Sequence, residues 1–295
     1  MPKALVDELV PPAFLQLAGH PVRWRLLHEL GRSDRTVQEL TGLLGQPQNL
    51  VSYHLARLRE ARLVAGRRSS ADRRDTYYTA DLTRIGRLLG DTGAALHPGL
   101  RAGPHPSAPV AATGGADTGA DANPEPDPEP DGSAPQARVL FLCTGNSARS
   151  QMAEALAKVR SGGRVDATSA GSHPKPLHPL AVRAMREVHG IDIAGHRPKP
   201  IDEVADQRFD RVVSLCDRVR EVCPELPGQP EATHWSIPDP SATGLDGEDA
   251  YPTFRQLAVD LATRVDFLLA ALAASPAEAP PAAATPTSIT DEEKP

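Results

Sequence analysis

The stretch VLFLCTGNSARSQMAEAL, residues 139–156, decides how the C-terminal half reads. Its first four residues form a continuous apolar run that suits a buried strand. The run ends in Cys143, small and polar residues follow, and SARSQMAEALAKVR then has the pattern of a helix. Strand, loop and helix N-terminus in this order make an anion site, because loop N–H groups converge and the helix dipole favours negative charge. A thiol at that mouth is drawn toward thiolate by the dipole, the amides and Arg149. Ser150 can add a hydrogen bond to the sulfur. The spacing C-x5-R lets Thr144, Gly145, Asn146, Ser147 and Ala148 curl around a tetrahedral oxyanion, with the Arg149 fork on two of its oxygens. Gly145 is expected to take backbone angles that other residues resist, and Asn146 to brace the loop.

Moving outward, RVDATSAG, FDRVVSLC and EATHWSI read as three more strands. HPLAVRAMREVHG reads as a helix stopped by Gly190, and DAYPTFRQLAVDLATRVDFLLAALAAS as a long closing helix. Strands alternating with helices imply an α/β layered domain with a four-stranded parallel sheet. Functional loops then lie at the C-terminal strand ends, where Cys143, Cys216 and Asp239 fall. Asp239, held before Pro240, is a candidate general acid.

The N-terminal hundred residues read differently. They hold 13 Arg and 1 Lys against 10 Asp and Glu, a net +4 in a chain of net −6. Local positive charge points to a polyanion partner. PAFLQLAGHPVRWRLLHELG has helical spacing and is expected to end at Gly31. TVQELTGLLG is a short helix closed by Gly45. After the turn QPQ, NLVSYHLARLREARLV is a second helix whose Leu50, Val51, His54, Leu55, Leu58 and Leu63 line its inner side. Gln48, Asn49, Ser52, Tyr53 and Arg57 then face outward. Two helices joined by a tight turn make a helix-turn-helix. LVAGRR and TYYTA form a β-hairpin carrying Arg67, Arg68, Arg73 and Arg74, read as a wing that reaches DNA phosphates. The fold class is therefore a mainly α winged helix-turn-helix joined to an α/β domain.

Composition sets the boundaries: 1–100 for the winged helix, 101–136 for a linker, 137–274 for the α/β domain and 275–295 for a tail. The linker and tail are rich in Pro, Ala and acid and nearly free of large apolar residues, so both are expected to be disordered. No apolar run reaches the ~20 residues of a membrane span, and MPKALVDELV has no signal-peptide pattern. The expectation is a cytoplasmic protein whose three cysteines, Cys143, Cys216 and Cys223, are thiols. His20, His28, His54 and His97 are isolated, and no metal site is expected.

LAGHPVRWRLLHEL, TVQELTGLLGQPQNLVSYHLARLREARLV and the RR…YYTA wing resemble the ArsR-type winged-helix repressors. That resemblance implies a homodimer, joined through the first helix and DLTRIGRLLGDTGAAL, on an inverted-repeat operator in double-stranded DNA. Unlike many such repressors, this domain has no cysteine. VLFLCTGNSARSQMAEAL, TSAGS, GIDIAGHRPKPI and Asp239-Pro240 resemble the low-molecular-weight tyrosine phosphatase fold. Within it, VVSLCDRVREVCP and the HW before the acid loop are closer to the thioredoxin-coupled arsenate reductases. That likeness implies Cys143 as nucleophile, Arg149 as oxyanion clamp, Asp239 as acid, and Cys216 and Cys223 as a redox relay, with arsenate as substrate, no bound cofactor, and electrons from thioredoxin or a similar dithiol protein. Family members also carry a cation site at positions matching Asn146, Glu154, Ser169 and 199. Here residue 199 is Lys, which puts that site in doubt.

Two other functions fit the residues. One is a low-molecular-weight tyrosine phosphatase fused to a regulator. Against it, Ser241 rather than an aromatic follows Pro240, and GSHPKPLHP holds no Phe, Tyr or Trp. The other is a transcription factor whose second domain only senses an oxyanion or redox state. The spacing of the relay adds one more expectation. Cys216 and Cys223, joined by a helix, would lie about 10.5 Å apart along its axis, whereas a disulfide needs Cα atoms within roughly 7 Å. The segment should therefore be helical when reduced and unwound when bridged. Its polar residues, Asp217, Arg218, Arg220 and Glu221, suggest a segment free to move.

Overall fold

The computed structural model describes residues 11–97, 100, 137–221, 226–228, 230–244 and 247–274. The expected linker 101–136, the tail 275–295 and Cys223 lie outside them. Among the described residues, no helix is long and apolar enough to cross a membrane.

Among the described residues the N-terminal body has five helices: α1 (Ala13–Ala18), α2 (Pro21–Arg32), α3 (Val37–Leu44), α4 (Gln48–Glu60) and α5 (Leu82–Leu96). The run expected as one helix divides at Gly19-His20. Pro21 lacks an N–H and suits a first helical position, and His20 caps the new helix by accepting from Val22 N. Gly31 does not end α2, which continues to Arg32. The α3 start is fixed by a capping box between Thr36 and Glu39, and Gly45 closes it at φ 62°. Leu26, Leu40, Val51, Leu55 and Leu58 fill the core, and His54 is buried among them. The hairpin is β2 (Val64–Arg68) with β3 (Thr76–Ala80), in register Val64↔Ala80 to Arg68↔Thr76. A third strand, β1 (Arg35–Thr36), pairs with β3. Two residues are too short to leave a periodic signal.

The C-terminal body is built on β4 (Ala137–Cys143), β5 (Val165–Gly171), β6 (Arg211–Ser214) and β7 (Glu231–His234), an all-parallel sheet in the order β5-β4-β6-β7. Its helices are α6 (Arg149–Ser161), α7 (Pro179–His189), α8 (Asp217–Glu221) and α9 (Tyr251–Ala274). α6 packs on β4 and β5, α9 on α6 and α7, and α8 on β4 and β6. Phe141, Met152, Leu156, Met185 and Phe254 form the centre of this core.

The two bodies are docked. Asp34 N donates to His234 O at 2.7 Å, and His234 N donates to the Ser33 hydroxyl at 2.9 Å. The Asp34 carboxylate accepts from Ser236 N at 2.7 Å and pairs with Arg264 at 3.3 Å. A second set of contacts joins α8 to the wing. Arg67 Nη2 lies 2.8 Å from Asp217 Oδ2, and Ser70 N donates to the same oxygen at 2.6 Å. Arg220 pairs with Glu39 and donates to Tyr77 Oη at 3.1 Å.

Candidate active site

The loop from Cys143 to Arg149 owes its shape to the segment after β5. Thr144, Gly145 and Ser147 carbonyls accept from the N–H groups of His173, Lys175 and His178, each at 2.8 Å. With those carbonyls turned outward, loop amides are left for the inside. Asn146 N donates to Cys143 Sγ at 3.2 Å, and the Ser150 hydroxyl hydrogen-bonds the same sulfur at 3.0 Å. Cys143 is only 2% exposed, so those two groups and the loop make up its polar surroundings.

The strained position is not Gly145. The left-handed residue of the loop is Asn146, at φ 43°, which asparagine adopts more readily than most residues. Its side chain is fully used: Nδ2 donates to Ser150 Oγ and Ser169 Oγ, both at 2.8 Å, while Oδ1 accepts from Gln151 Nε2 and Lys199 N. The glycine that the loop requires is Gly171, paired with Cys143 in the sheet. A Cβ there would sit 2.8 Å from both Asn146 N and Thr144 O, too close to either. The TSAG stretch carried that signal only through its register with β4.

Arg149 opens α6 and is 7% exposed. Its Nη1 donates to Ile237 O at 2.9 Å, and its Nη2 lies 3.3 Å from Asp239 Oδ2. The loop after β7 thus aims the guanidinium. Asp239 is half exposed and accepts from Ser241 N at 3.1 Å. An oxyanion in the loop would share Arg149 with it. His178 is nearby; burial pushes its pKa down, against the charge of Asp239. It caps α7 by accepting from Leu180 N.

Cys216, 3% exposed, stands at the end of the neighbouring strand, its Sγ 3.3 Å from Thr144 Oγ1. The structure thus brings a second thiol to the first residue of the anion loop. Among the described residues the segment after Cys216 is helical as far as Glu221, and it is not loose. Asp217 is 1% exposed and Val219 is fully buried. The expectation of a freely moving polar segment is corrected: Asp217 and Arg220 are paired across the domain boundary. Burial would raise the Asp217 carboxyl, yet hydrogen bonds from His234, Ser236, Ser70 and Arg67 outweigh it and hold the group well below the carboxylate range. His234 Nε2 donates to Asp217 Oδ1 at 3.1 Å, and its Nδ1 lies 2.8 Å from Ser214 Oγ.

The positions of the family cation site do not suit a cation. Glu154 meets Lys158 Nζ at 2.6 Å and Lys199 Nζ at 3.6 Å, and accepts from Ser169 Oγ at 2.6 Å. Burial would raise its carboxyl, but these partners lower it further. A third positive charge would be repelled there. Among the described residues no group of three or more His, Cys, Asp or Glu could hold a metal ion. Replacing sodium by potassium at constant ionic strength is expected to leave melting temperature and turnover unchanged; a potassium-dependent rise in melting temperature would overturn this reading.

In the N-terminal body, Gln48, Asn49, Ser52, Tyr53 and Arg57 are all exposed on α4. Arg68, Arg73 and Arg74 are exposed on the wing. Arg67 departs from the expectation. Its Nε donates to Ser236 O at 2.9 Å and its Nη2 to Asp217, so it faces the other domain rather than a free surface.

Residues 138–277 match the family model described as low molecular weight phosphotyrosine protein phosphatase, and residues 20–75 match the MarR family. An arsenate reductase of Halalkalibacterium halodurans is 39% identical over 127 residues, which is 43% of this chain and 91% of that protein. The arsenate reductase of Bacillus subtilis strain 168 is 38% identical over the same coverage. A solved arsenate reductase in its phosphate-binding state is 35% identical, with a TM-score of 0.41, covering 46% of this chain and 98% of that one. The chain belongs, through its C-terminal domain, to the low molecular weight phosphotyrosine protein phosphatase family. The relatives just named within that family are arsenate reductases, and the N-terminal domain is a helix-turn-helix of the MarR-matching kind.

Proposed function

We propose that this protein is a DNA-binding regulator fused to an arsenate reductase, with Cys143 as nucleophile and Cys216 and Cys223 as relay. The observation that carries the reading is the second thiol beside the anion loop: phosphate-ester hydrolysis has no step for it, whereas two-electron reduction of arsenate uses it to break the sulfur–arsenic bond. The Cys143 thiolate attacks arsenate held by loop amides and Arg149, Asp239 protonates the departing oxygen, and water leaves. Cys216 attacks Cys143 Sγ. The sulfur–arsenic electron pair stays on arsenic, so As(V) becomes As(III), arsenite departs, and a Cys143–Cys216 disulfide forms. Cys223 attacks Cys216, expelling the Cys143 thiolate. A thioredoxin-like dithiol reduces the Cys216–Cys223 bond. The test is NADPH consumption by the protein with arsenate, thioredoxin and thioredoxin reductase, with phosphotyrosine hydrolysis assayed in parallel. Phosphotyrosine turnover without arsenate-dependent NADPH use would replace this function by a phosphatase.

The regulator half is read as ArsR-like, a homodimer on an inverted repeat. Exposed Leu15 on α1 and Leu89 and Leu96 on α5 support pairing through those helices. The α4 face supplies base contacts, and Arg68, Arg73 and Arg74 supply phosphate contacts. Alanine at those three arginines is expected to flatten the log–log salt dependence of DNA binding by about 0.9 per lost phosphate contact. Arg67→Ala is expected to leave that slope unchanged under reducing conditions. A slope that responds to Arg67 alone would reverse the assignment.

A further inference from the structure

Cys216 stands between residues that are tied into the winged helix. The Ser214 hydroxyl, two positions before it, hydrogen-bonds His234 Nδ1 at 2.8 Å, Leu215 N donates to Leu142 O at 2.7 Å, and Asp217 follows directly. Five donors converge on the Asp217 carboxylate. His234 Nε2 and the Ser236 hydroxyl come from its own domain, and Arg67 Nη2, Ser70 N and the Ser70 hydroxyl come from the wing. The first two are not independent of the N-terminal body. His234 N donates to the Ser33 hydroxyl, Ser236 N donates to Asp34, and Arg67 donates to both the carbonyl and the hydroxyl of Ser236. The contacts form one connected network with Asp217 at its centre, and Arg67 is the arginine that meets the buried carboxylate. Strand alternation aims it there. Val64 and Ala80 turn one face of the hairpin to its own core, so Arg67 and its cross-strand partner Tyr77 lie on the other.

We propose that Arg67 is a positioning residue of the reductase: by holding Asp217 it keeps the Cys216 thiol beside the first residue of the anion loop, from where that thiol attacks Cys143. The inference deepens the arsenate reductase reading and rests on it. Cys143 and Cys216 follow the ends of neighbouring strands, β4 and β6, and Cys216 Sγ already lies 3.3 Å from Thr144 Oγ1. The step served is the first disulfide. Cys216 gives up its proton to solvent, its sulfur bonds Cys143 Sγ, the sulfur–arsenic electron pair stays on arsenic, and arsenite leaves. Sulfur must approach along the bond that breaks, so a thiol misplaced by about an ångström loses much of its rate. A carboxylate that is 1% exposed keeps its place only while its donors and counter-charge offset its lost hydration. Without Arg67, Asp217 is drawn toward water, and Cys216, one peptide bond away, is drawn with it. The Arg67 side chain is itself 28% exposed, so truncating it leaves both cores intact.

The test is a single turnover without thioredoxin, with arsenite release followed at rising arsenate. Arg67→Ala is expected to lower the plateau rate by about 10–100-fold without raising half-saturating arsenate. Arg67 Nη2 alone reaches both oxygens of Asp217, so a lysine ammonium can stand in for it, and Arg67→Lys should restore most of the rate. In an Asp217→Asn chain, Arg67→Ala should add no further loss, because the two residues act as a unit. A second measurement needs no turnover. N-ethylmaleimide should label Cys216 about tenfold faster in a Cys143→Ser/Arg67→Ala chain than in Cys143→Ser, as read by peptide mass, because the thiol is now 3% exposed. Ser236 also precedes Ile237, whose carbonyl aims Arg149. A rise in half-saturating arsenate would place the effect of Arg67 on that guanidinium and overturn its assignment to Cys216. Equal plateau rates, or equal labelling of Cys216, would overturn the positioning role and leave the reductase reading standing. A wild-type chain that releases no arsenite would overturn both.

Discussion

Cys143→Ser is expected to lower arsenate turnover by about 10⁴-fold or more, the scale on which an enzyme loses rate with its nucleophile. The substitution is nearly isosteric, and a hydroxyl can keep the hydrogen bonds from Asn146 N and Ser150 that now reach the sulfur. The fold and the oxyanion cradle should survive, so phosphate or arsenate should still raise the melting temperature. What is lost is chemical: a serine oxygen is not ionised near neutral pH and cannot join Cys216 in a disulfide. Cys216→Ser separates the steps. It leaves the nucleophile in place but stops arsenite release after the covalent step. Coupled NADPH consumption and arsenite release measure both variants. Wild-type turnover by the Cys143→Ser protein would dismiss the nucleophile assignment.

The anion loop was legible because its parts are consecutive. Cys143, Arg149 and Ser150 lie within eight residues, and the strand before and helix after them have strong periodic patterns. The outward face of α4 was legible for the same reason, since helical spacing alone sorts Val51, His54, Leu55 and Leu58 from Gln48, Asn49, Ser52, Tyr53 and Arg57. What the sequence hid is what depends on register and docking. Gly171 matters because β5 sets it against the loop across from Cys143. Gly145 drew the expectation of a special backbone, and Asn146 took it. Arg67 and Asp217 were read as exposed charges because their partners stand 150 positions apart. No local pattern announces a salt bridge across a linker.

Asp217 is therefore the place where a single substitution should do most to the architecture. Its carboxylate collects Arg67, Ser70, Ser236 and His234, and it is 1% exposed, while the Arg67 side chain is 28% exposed. Removing one partner of a buried pair typically costs ~3–5 kcal/mol; with Arg67 partly solvated, Asp217→Asn is expected to weaken docking by about 2–3 kcal/mol. The Ser70 amide should exchange faster even in the fully reduced protein, and core amides of each domain should not. The pH dependence gives an independent check. The carboxyl of Asp217 is held below its ordinary value of 3.8 in the docked state. Its contribution is therefore complete above that value and is lost progressively as pH falls below it, because the undocked group binds a proton first. Docking of the wild type should be level from about pH 5 to 8 on this account and should weaken below about 4. In Asp217→Asn that acid limb should be shallower, since the amide does not titrate and what remains comes from Glu39, whose carboxyl burial would raise but Thr36 and Arg220 hold below its ordinary value. Ser70 exchange, corrected for the intrinsic pH dependence of amide exchange, measures both proteins. If Asp217→Asn keeps the whole acid limb of the wild type, Asp217 is not the carboxylate that sets it.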